Sequence, residues 1–336
     1  MLFARNALDK SYVFCRRLTR RSGSNFYQGI KILPREKRRA MEALYAFMRH
    51  TDDIVDAPPG QADSLNTSID RRRNQLHRWR TVLENALSEE DLHGADPDRP
   101  WMRSITEADS IADSLLPALV DSVKKYQIPS EYLFAVFDGV EMDLDRHRYE
   151  TFDELKLYCQ RVASAVGLAC IHIWGFQGQG TAEGDAAFEA AWQAGIALQL
   201  TNILRDLKAD AVAGRIYLPL EDLKTCGYSE DELKNGVVND AFHRLMRLEI
   251  DRAKQFYGEG AKLLNFLNRD GRPIFEVMMV AYVMLLKKIR RRPGNVFFRQ
   301  IKLTKLDWLR CSVSIFHISK HLDNFSEIIS ATLNDE

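Results

Sequence analysis

Residues 201–219, TNILRDLKADAVAGRIYLP, decide how the rest of this chain is interpreted. At about 100° per residue on a helix, Gln199, Asn202, Asp206 and Asp210 fall on one narrow face. Buried unpaired carboxylates are costly, so this stripe is a poor way to build an apolar core. Carboxylate and amide oxygens are instead the ligands that hard divalent cations prefer. The stretch therefore predicts a helix that carries a cation site.

A second acidic cluster lies well upstream, in RHTDDIVD at residues 49–56. Asp52 and Asp56 are one helical turn apart and share a face, and Asp53 lies beside them. The apolar stripe of the preceding residues predicts that this cluster closes an amphipathic helix. Two oxygen-rich faces, far apart in sequence, predict a metal-bridged phosphate site between two helices.

Helical periodicity dominates the rest of the chain, and strand patterns are nearly absent. Ser229 and Glu232 have the spacing of a capping box, which predicts the start of a helix. Pro117 predicts a break in a helix. Residues 175–184 contain four glycines and predict a loop. A polar stretch at about 88–104 predicts a surface loop. No linker rich in Pro, Gly or Ser divides the chain. We therefore predict one all-α domain over residues 1–336, a helical bundle with a central cleft.

Composition and charge exclude several classes of protein. Lysine plus arginine and aspartate plus glutamate each number 47, so the formal net charge is zero and no nucleic acid partner is expected. The 5 cysteines are scattered without a C-x-x-C pair, which is typical of reduced thiols in a cytosolic protein. No apolar run is long enough to span a bilayer. We expect a cytoplasmic protein whose contact with a membrane, if any, is peripheral.

Three segments carry a resemblance to a known family: YAFMRHTDDIVD, YCQRVASAVG and QLTNILRDLKADAVAGRIYLP. In order and spacing they resemble the squalene/phytoene synthases, head-to-head prenyl synthases with the all-α isoprenoid synthase fold. The likeness extends over most of the chain. It implies condensation of two identical allylic prenyl diphosphates with release of diphosphate. The substrates would be C20 geranylgeranyl diphosphate, which gives phytoene, or C15 farnesyl diphosphate, which gives presqualene diphosphate and squalene.

The resemblance also implies a role for each matching residue. Mg²⁺, with Mn²⁺ as the alternative cation, would be held by the two Asp-rich motifs and would clamp the substrate diphosphates. The implied metal ligands are Asp52, Asp56, Asn202, Asp206 and Asp210, of which Asp52 and Asp206 also count as catalytic. The implied substrate-binding residues are Arg49, Gln199, Asn202, Arg205, Arg215 and Tyr217, the last two in a loop expected to close over the site. Tyr158 matches a catalytic tyrosine near the reacting carbons.

Three alternatives stay open at this point. A class I terpene cyclase, which acts on a single prenyl diphosphate, has the same spacing as Asn202, Asp206 and Asp210. A head-to-tail chain elongator also carries two Asp-rich motifs, but it consumes isopentenyl diphosphate. A non-catalytic assembly factor of this fold would be expected to lose metal ligands. Ala209 stands where the family often has an acid, which leaves the subtype open.

The sequence leaves the cofactor and the membrane contact partly open. No glycine-rich dinucleotide fingerprint is present, so NADPH is not indicated. Neither the length of the prenyl tail nor the oligomeric state follows from the residues. The basic run of residues 287–292, KKIRRR, is a candidate for contact with anionic lipid, and the competing interpretation is a charged helix end.

Overall fold

The computed structural model describes residues 2–22, 25–56, 65–88, 110–304, 306–308 and 325–334. Within these ranges the regular structure is helical, apart from two isolated β-bridges, and this confirms the all-α prediction. Contacts within the chain divide it into two compact units, Met1–Leu144 and Asp145–Glu336. The surface loop predicted at about 88–104 lies outside the described residues after Ser88. One domain over residues 1–336 stays a prediction.

The described part of the first unit is built from six helices. They are α1 (Leu2–Arg21), α2 (Asn25–Ile30), α3 (Arg35–Asp56), α4 (Leu65–Ser88), α5 (Ser110–Lys125) and α6 (Ser130–Asp145). Its core includes the rings of Phe47, Trp79 and Phe137, whose centroids lie 5.6–6.2 Å apart. The Trp79 indole donates to Thr51 Oγ1 at 3.0 Å. These contacts hold the last turns of α3, which carry the first acidic cluster.

The predicted helix break at Pro117 is wrong, because Pro117 lies inside α5. A proline within a helix costs a backbone hydrogen bond and crowds the preceding turn. Here the next amide, that of Ala118, donates to Ser11 Oγ on α1 at 3.0 Å. Helix α5 packs along both α1 and α3. Tertiary packing therefore keeps the helix continuous where local propensity favours a break.

The second unit is organised around one long helix. Its elements are α7 (Phe152–Cys159), a π-helical turn (Gln160–Ser164), α8 (Ala165–Trp174), α9 (Ala182–Val212), α10 (Leu220–Cys226), α11 (Glu230–Lys234), α12 (Asp240–Ala261), a 3₁₀ turn (Lys262–Asn265), α13 (Arg272–Arg291), α14 (Asn295–Phe298) and α15 (Phe325–Asn334). Helix α9 packs along α12 and also contacts α7, α8 and α13. The capping box of Ser229 and Glu232 is present at the start of α11. The glycine-rich loop ends earlier than predicted, at Thr181, so Gly184 is already helical.

Two glycines set how closely α9 approaches its neighbours. A Cβ on Gly195 would lie 2.5 Å from the Cα atom of Ser164 in the π-helical turn. A Cβ on Gly260 of α12 would lie 2.6 Å from the Cα atom of Ala194. Both distances are far below van der Waals contact, so only glycine fits at these crossings. The register of α9, and with it the position of its polar stripe, depends on them.

Four cysteines are described, and all four are free and buried: Cys15, Cys159, Cys170 and Cys226. Cys311 lies outside the described residues. Burial raises the pKa of the Cys15 thiol to about 12, which makes this cysteine unreactive at neutral pH. Among the described helices, none combines the length and apolarity that crossing a bilayer requires.

Candidate active site

The first acidic motif lies on the solvent side of the last turns of α3. Arg49, Asp52, Asp53 and Asp56 are exposed there, while Phe47 and its neighbours on the opposite side are buried in the core. Arg49 forms an ion pair with Asp53, one turn further along the helix. The predicted shared face of Asp52 and Asp56 is confirmed by the continuous helix. The Asp53 carboxylate is the one that Arg49 engages directly.

The Asp52 carboxyl group has a strongly perturbed pKa. Solvent reaches the side chain, yet the protein around it desolvates the carboxylate and raises its pKa to about 7. The negative charges of Asp56, Asp143 and Asp53 act in the same direction, and Arg49 acts against them. Asp143 on α6 is a member of this cluster that the helical pattern did not indicate. A crowded set of carboxylates is a site where a cation is strongly favoured.

The second acidic motif lies on α9, where the predicted stripe is present. Gln199, Asn202, Asp206 and Asp210 are all half-buried, while Leu200, Ile203, Leu204 and Leu207 between them are buried. The Asn202 amide donates to Gln199 Oε1 at 3.3 Å. Asn202 Oδ1 is a buried acceptor that receives no hydrogen bond from the described residues. A buried oxygen without a hydrogen bond destabilises the fold unless a ligand or a cation binds to it.

Arg205 lies beside this stripe and forms a bidentate ion pair with Asp206. Its Nε donates to Asp206 Oδ1 at 2.9 Å, and its Nη2 donates to Asp206 Oδ2. Against the effect of burial, Asp206 and the nearby Tyr282 on α13 raise the pKa of the Arg205 guanidinium. A fork of this kind fits a carboxylate and a phosphate equally well. Tyr282 was not singled out from the sequence, because a tyrosine on an apolar helix looks like ordinary core.

The segment that follows α9, residues 214–221 (GRIYLPLE), is fastened to residues 147–150. Ile216 N donates to His147 O, Leu220 N to Tyr149 O and Glu221 N to Glu150 O, at 2.9–3.1 Å. The Arg148 side chain adds a hydrogen bond to Gly214 O at 2.7 Å. Arg215 and Tyr217 are therefore held on a segment with a defined path. Its closure over the site stays a prediction.

Tyr217 is part of a buried cluster of three tyrosines. Its ring stacks on Tyr158 at 5.1 Å and on Tyr149 at 5.8 Å between centroids. The Tyr158 hydroxyl lies 3.4 Å from the Tyr217 hydroxyl. Tyr158 and Tyr217 are 59 positions apart in the chain. Tyr149 was missed from the sequence because it lies in an irregular segment, where periodicity carries no signal.

Aromatic residues outside the tyrosine cluster differ in how deeply they are buried. Phe47 and Trp174 are buried within their own units and pack against other rings. Phe26 is half-buried and stacks on Tyr45 with 6.1 Å between centroids. Phe26 and Tyr45 are thus the better placed of these rings to meet a ligand.

Each of the two motifs carries donor atoms of the kind that hard divalent cations prefer. They are carboxylate oxygens crowded together at Asp52 and an orphaned amide oxygen at Asn202. In the described ranges, no group of three or more His, Cys, Asp and Glu side chains forms a complete metal cage. Mg²⁺ does not need one, because it is usually bound by one or two carboxylates together with substrate phosphate oxygens. The residues therefore suit Mg²⁺ carried on a diphosphate.

Comparison with known proteins gives relatives over almost the whole chain. The family model described as squalene/phytoene synthase matches residues 19–307. A 15-cis-phytoene synthase of Synechocystis sp. is 36% identical over 322 residues, covering 91% of this chain and 87% of the relative. A phytoene synthase of Arthrospira platensis is 35% identical over 300 residues, covering 85% of this chain and 86% of the relative.

Solved structures of low sequence identity share the fold. A dehydrosqualene synthase bound to a ligand has a TM-score of 0.73 at 22% identity, covering 96% of this chain and all of that one (100%). The squalene synthase HpnC from Alicyclobacillus acidocaldarius has a TM-score of 0.69 at 24% identity, covering 87% of this chain and 98% of that one. At these identities the likeness shows the fold alone.

Proposed function

The chain belongs to the squalene/phytoene synthase family of prenyltransferases, and from this membership we propose that it joins two C20 geranylgeranyl diphosphates head to head to make phytoene. The observation that carries the proposal is the identity of 35–36% to phytoene synthases over most of both chains. The balanced reaction consumes two C20 diphosphates and releases two diphosphates, and the joined hydrocarbon loses two protons, which the released diphosphates can take up. No reductant enters this balance.

The two acidic motifs would hold the leaving groups. Ionisation of an allylic C–O bond produces a diphosphate polyanion and a carbocation, so charge develops at both ends of the breaking bond. Asp52 and Asp56 on α3, and Asn202, Asp206 and Asp210 on α9, are the proposed ligands of Mg²⁺. The cation would neutralise the negative charge that develops on the diphosphate as the allylic C–O bond breaks. Support comes from the crowded carboxylates around Asp52 and the orphaned Asn202 Oδ1.

Arg49 and Arg205 are the proposed phosphate-binding arginines. Each lies on the polar face of its motif and already pairs with a carboxylate, Asp53 or Asp206. Binding of phosphate oxygens requires each guanidinium to share or exchange that partner. Arg215 and Gln199 are proposed as further contacts to the diphosphates, on the evidence of their places beside the α9 motif.

The tyrosine cluster would serve the carbocation rather than the diphosphate. Stacked phenol rings present negative faces, which stabilise a cation without adding a nucleophilic charge. The Tyr158 hydroxyl donates a long hydrogen bond, 3.4 Å, to the Tyr217 hydroxyl, so the two polar groups lie on the same side of the cluster. We assign Tyr158 to cation or proton handling and Tyr217 to the wall of the same region.

Product analysis tests the proposal directly. Purified protein with Mg²⁺ is incubated with geranylgeranyl diphosphate and, separately, with farnesyl diphosphate, and the hydrocarbons are identified by mass spectrometry. We expect phytoene from the C20 substrate without NADPH. Squalene or dehydrosqualene from the C15 substrate, with no C40 product, would contradict the C20 assignment. A cyclic product from one diphosphate would favour a terpene cyclase instead.

A further inference from the structure

Arg252 on α12 connects its helix to two other elements of the second unit. Its Nη1 lies 2.8 Å from Glu249 Oε2, three residues earlier on the same helix, and 2.7 Å from Asp222 Oδ2 on α10. The guanidinium also lies over the ring of Phe152, the first residue of α7, at 4.1 Å from the ring centroid. One side chain therefore joins α12 to both α10 and α7.

The stability of the fold does not by itself explain these buried charges. The side chains of Arg252, Asp222 and Glu249 are 16%, 10% and 1% exposed, so all three groups lose most of their hydration. Replacement of a buried ion pair by apolar side chains of similar volume is often neutral or stabilising. A planar guanidinium provides direction instead, because its donors fix the angles at which its partners lie.

The partners of Arg252 lie where two paired segments enter their helices. Asp222 directly follows the GRIYLPLE segment, and Phe152 follows residues 147–150 after one intervening residue. The Phe152 amide donates to Glu221 Oε1 at 2.7 Å, next to the backbone hydrogen bonds that pair the two segments. Arg252 thus braces this pair of segments at the end where the chain enters α7 and α10.

Helix α7 connects the same group of charges to Tyr158. It begins at Phe152, under the Arg252 guanidinium, and ends at Cys159, the residue after Tyr158. Burial and the negative charge of Glu249 raise the pKa of the Cys159 thiol, which indicates that Glu249 lies near the end of α7. Both ends of the helix that carries Tyr158 are therefore close to the Arg252–Glu249 pair.

We propose that Arg252 is a positioning residue, which holds the Tyr158 hydroxyl in place against Tyr217 by bracing α7 against the GRIYLPLE segment. The inference rests on the proposed role of Tyr158 in handling the carbocation or its proton. Arg252 contacts Asp222, Glu249 and the Phe152 ring, so it acts on the tyrosine pair through the backbone of the two segments. A displacement of about 1 Å at a reacting group costs about 10²-fold in rate.

A double-mutant cycle, followed by steady-state kinetics of the full-length protein, tests the proposal. The variants are Arg252→Gln and Asp222→Asn, each made in the wild type and in Tyr158→Phe. Asp222→Asn is the milder of the two, because Glu249 and Arg252 still pair with each other. Arg247→Gln, which changes an exposed arginine of α12, is the matched control. Circular dichroism checks that each variant is folded at the temperature of the assay.

We expect both substitutions to lower kcat about tenfold or more and to leave KM within about twofold of the wild type, because the acidic motifs that bind the diphosphates are unchanged. In Tyr158→Phe the same substitutions should lower kcat by about twofold or less, since the hydroxyl that they position is already absent. Arg247→Gln should have wild-type kinetics. Should Arg252→Gln fail to fold, Asp222→Asn decides between the outcomes.

Equal losses of kcat with and without the Tyr158 hydroxyl, or a raised KM with unchanged kcat, would overturn the proposal and leave Arg252 with a role in the fold alone. Diphosphate release is assayed with whichever prenyl diphosphate the wild type consumes, so a wrong chain length does not affect this test. Wild-type kcat in Tyr158→Phe alone would refute the proposed role of Tyr158 and this inference with it. An impaired Tyr158→Phe whose loss adds fully to that of Asp222→Asn would refute only the inference about Arg252.

Discussion

At the scale of single residues, the aspartates of the two motifs differ in their electrostatic surroundings. Asp53 and Asp206 are each engaged by an arginine, whereas Asp52 carries a raised pKa in a cluster of like charges. These environments differ although the residues are identical in type. Electrostatic surroundings, rather than residue identity, therefore distinguish the roles of the aspartates.

Asparagine at Asp52 or at Asp206 should lower turnover by about two orders of magnitude or more, because each change removes a charged ligand of the proposed Mg²⁺ site. The fold should survive, since both side chains lie outside the buried core. Turnover at limiting Mg²⁺ and circular dichroism measure the two effects. Asp185→Asn, on an exposed position of α9, is the control. Near-normal turnover in either test variant would remove that aspartate from the set of ligands.

Substitution of Arg49 or Arg205 by lysine should impair activity, although the positive charge is kept. The charge remains, but the planar pair of donors that grips a carboxylate or phosphate is lost. We expect kcat/KM to fall by about tenfold or more in each variant, through loss of about 1.4 kcal/mol of transition-state binding. Arg247→Lys, at an exposed position of α12, should leave the kinetics unchanged. Kinetics equal to wild type in both test variants would contradict the phosphate-binding assignment.

At the scale of elements, α9 carries the second acidic motif because its neighbours allow it to approach closely. Gly195 and Gly260 remove side chains where α9 crosses the π-helical turn and α12. The GRIYLPLE segment then leaves α9 on a path fixed by hydrogen bonds to residues 147–150. Small residues and backbone pairing thus position the stripe and the tyrosine cluster in one unit.

Two glycines of α12 provide a matched test of this packing. Gly260→Ala should destabilise the protein by about 1–3 kcal/mol, because its methyl group would overlap the Ala194 backbone. Gly258→Ala should stabilise it by about 0.5–1 kcal/mol, because its methyl group would meet Ser330 Oγ at an ordinary 3.6 Å and alanine favours helix. Urea denaturation followed by circular dichroism measures both. Equal effects of the two substitutions would refute the close-approach argument.

At the scale of the whole molecule, the free energy of unfolding should depend on one buried acid. Glu249 is 1% exposed, and burial raises its pKa to about 7 despite the nearby Arg252. Arg252 bridges Glu249 and Asp222, at 2.8 Å and 2.7 Å, and so connects α12 with α10. The folded protein therefore binds this proton more tightly than the unfolded chain, whose carboxyl has the ordinary value of 4.5.

Because the pKa of Glu249 is higher in the folded protein than in the unfolded chain, Glu249 lowers the free energy of unfolding as the pH rises. Between about pH 4.5 and 7 the unfolded chain releases the proton and the folded protein retains it, so stability falls by up to about 3 kcal/mol. Glu249→Gln removes this contribution. We expect its urea midpoint, relative to the wild type, to rise from pH 5 to about pH 7 and to level off above that. Glu259→Gln, an exposed acid on the same helix, should show no such trend. If the difference in urea midpoint between Glu249→Gln and the wild type did not change with pH, the raised pKa assigned to Glu249 would be wrong.

The sequence by itself determined the fold class and the two polar stripes. Both depend on helical periodicity, and this periodicity follows from the spacing of residues along the chain without any long-range contact. The stripe from Gln199 to Asp210 and the shared face of Asp52 and Asp56 follow from that period alone. The family resemblance rested on the same two stretches, together with the segment around Tyr158.

Only the tertiary structure decided how those residues are partnered and how strongly they hold protons. Pro117 stays helical because Ser11, far away in sequence, accepts the Ala118 amide hydrogen. Tyr149, Tyr158 and Tyr217 form one cluster, and Arg205 meets Tyr282, through long-range packing. The raised pKa values of Asp52 and Glu249 arise from desolvation. Desolvation and long-range contacts depend on what the whole chain places around a group, so no local pattern contains them.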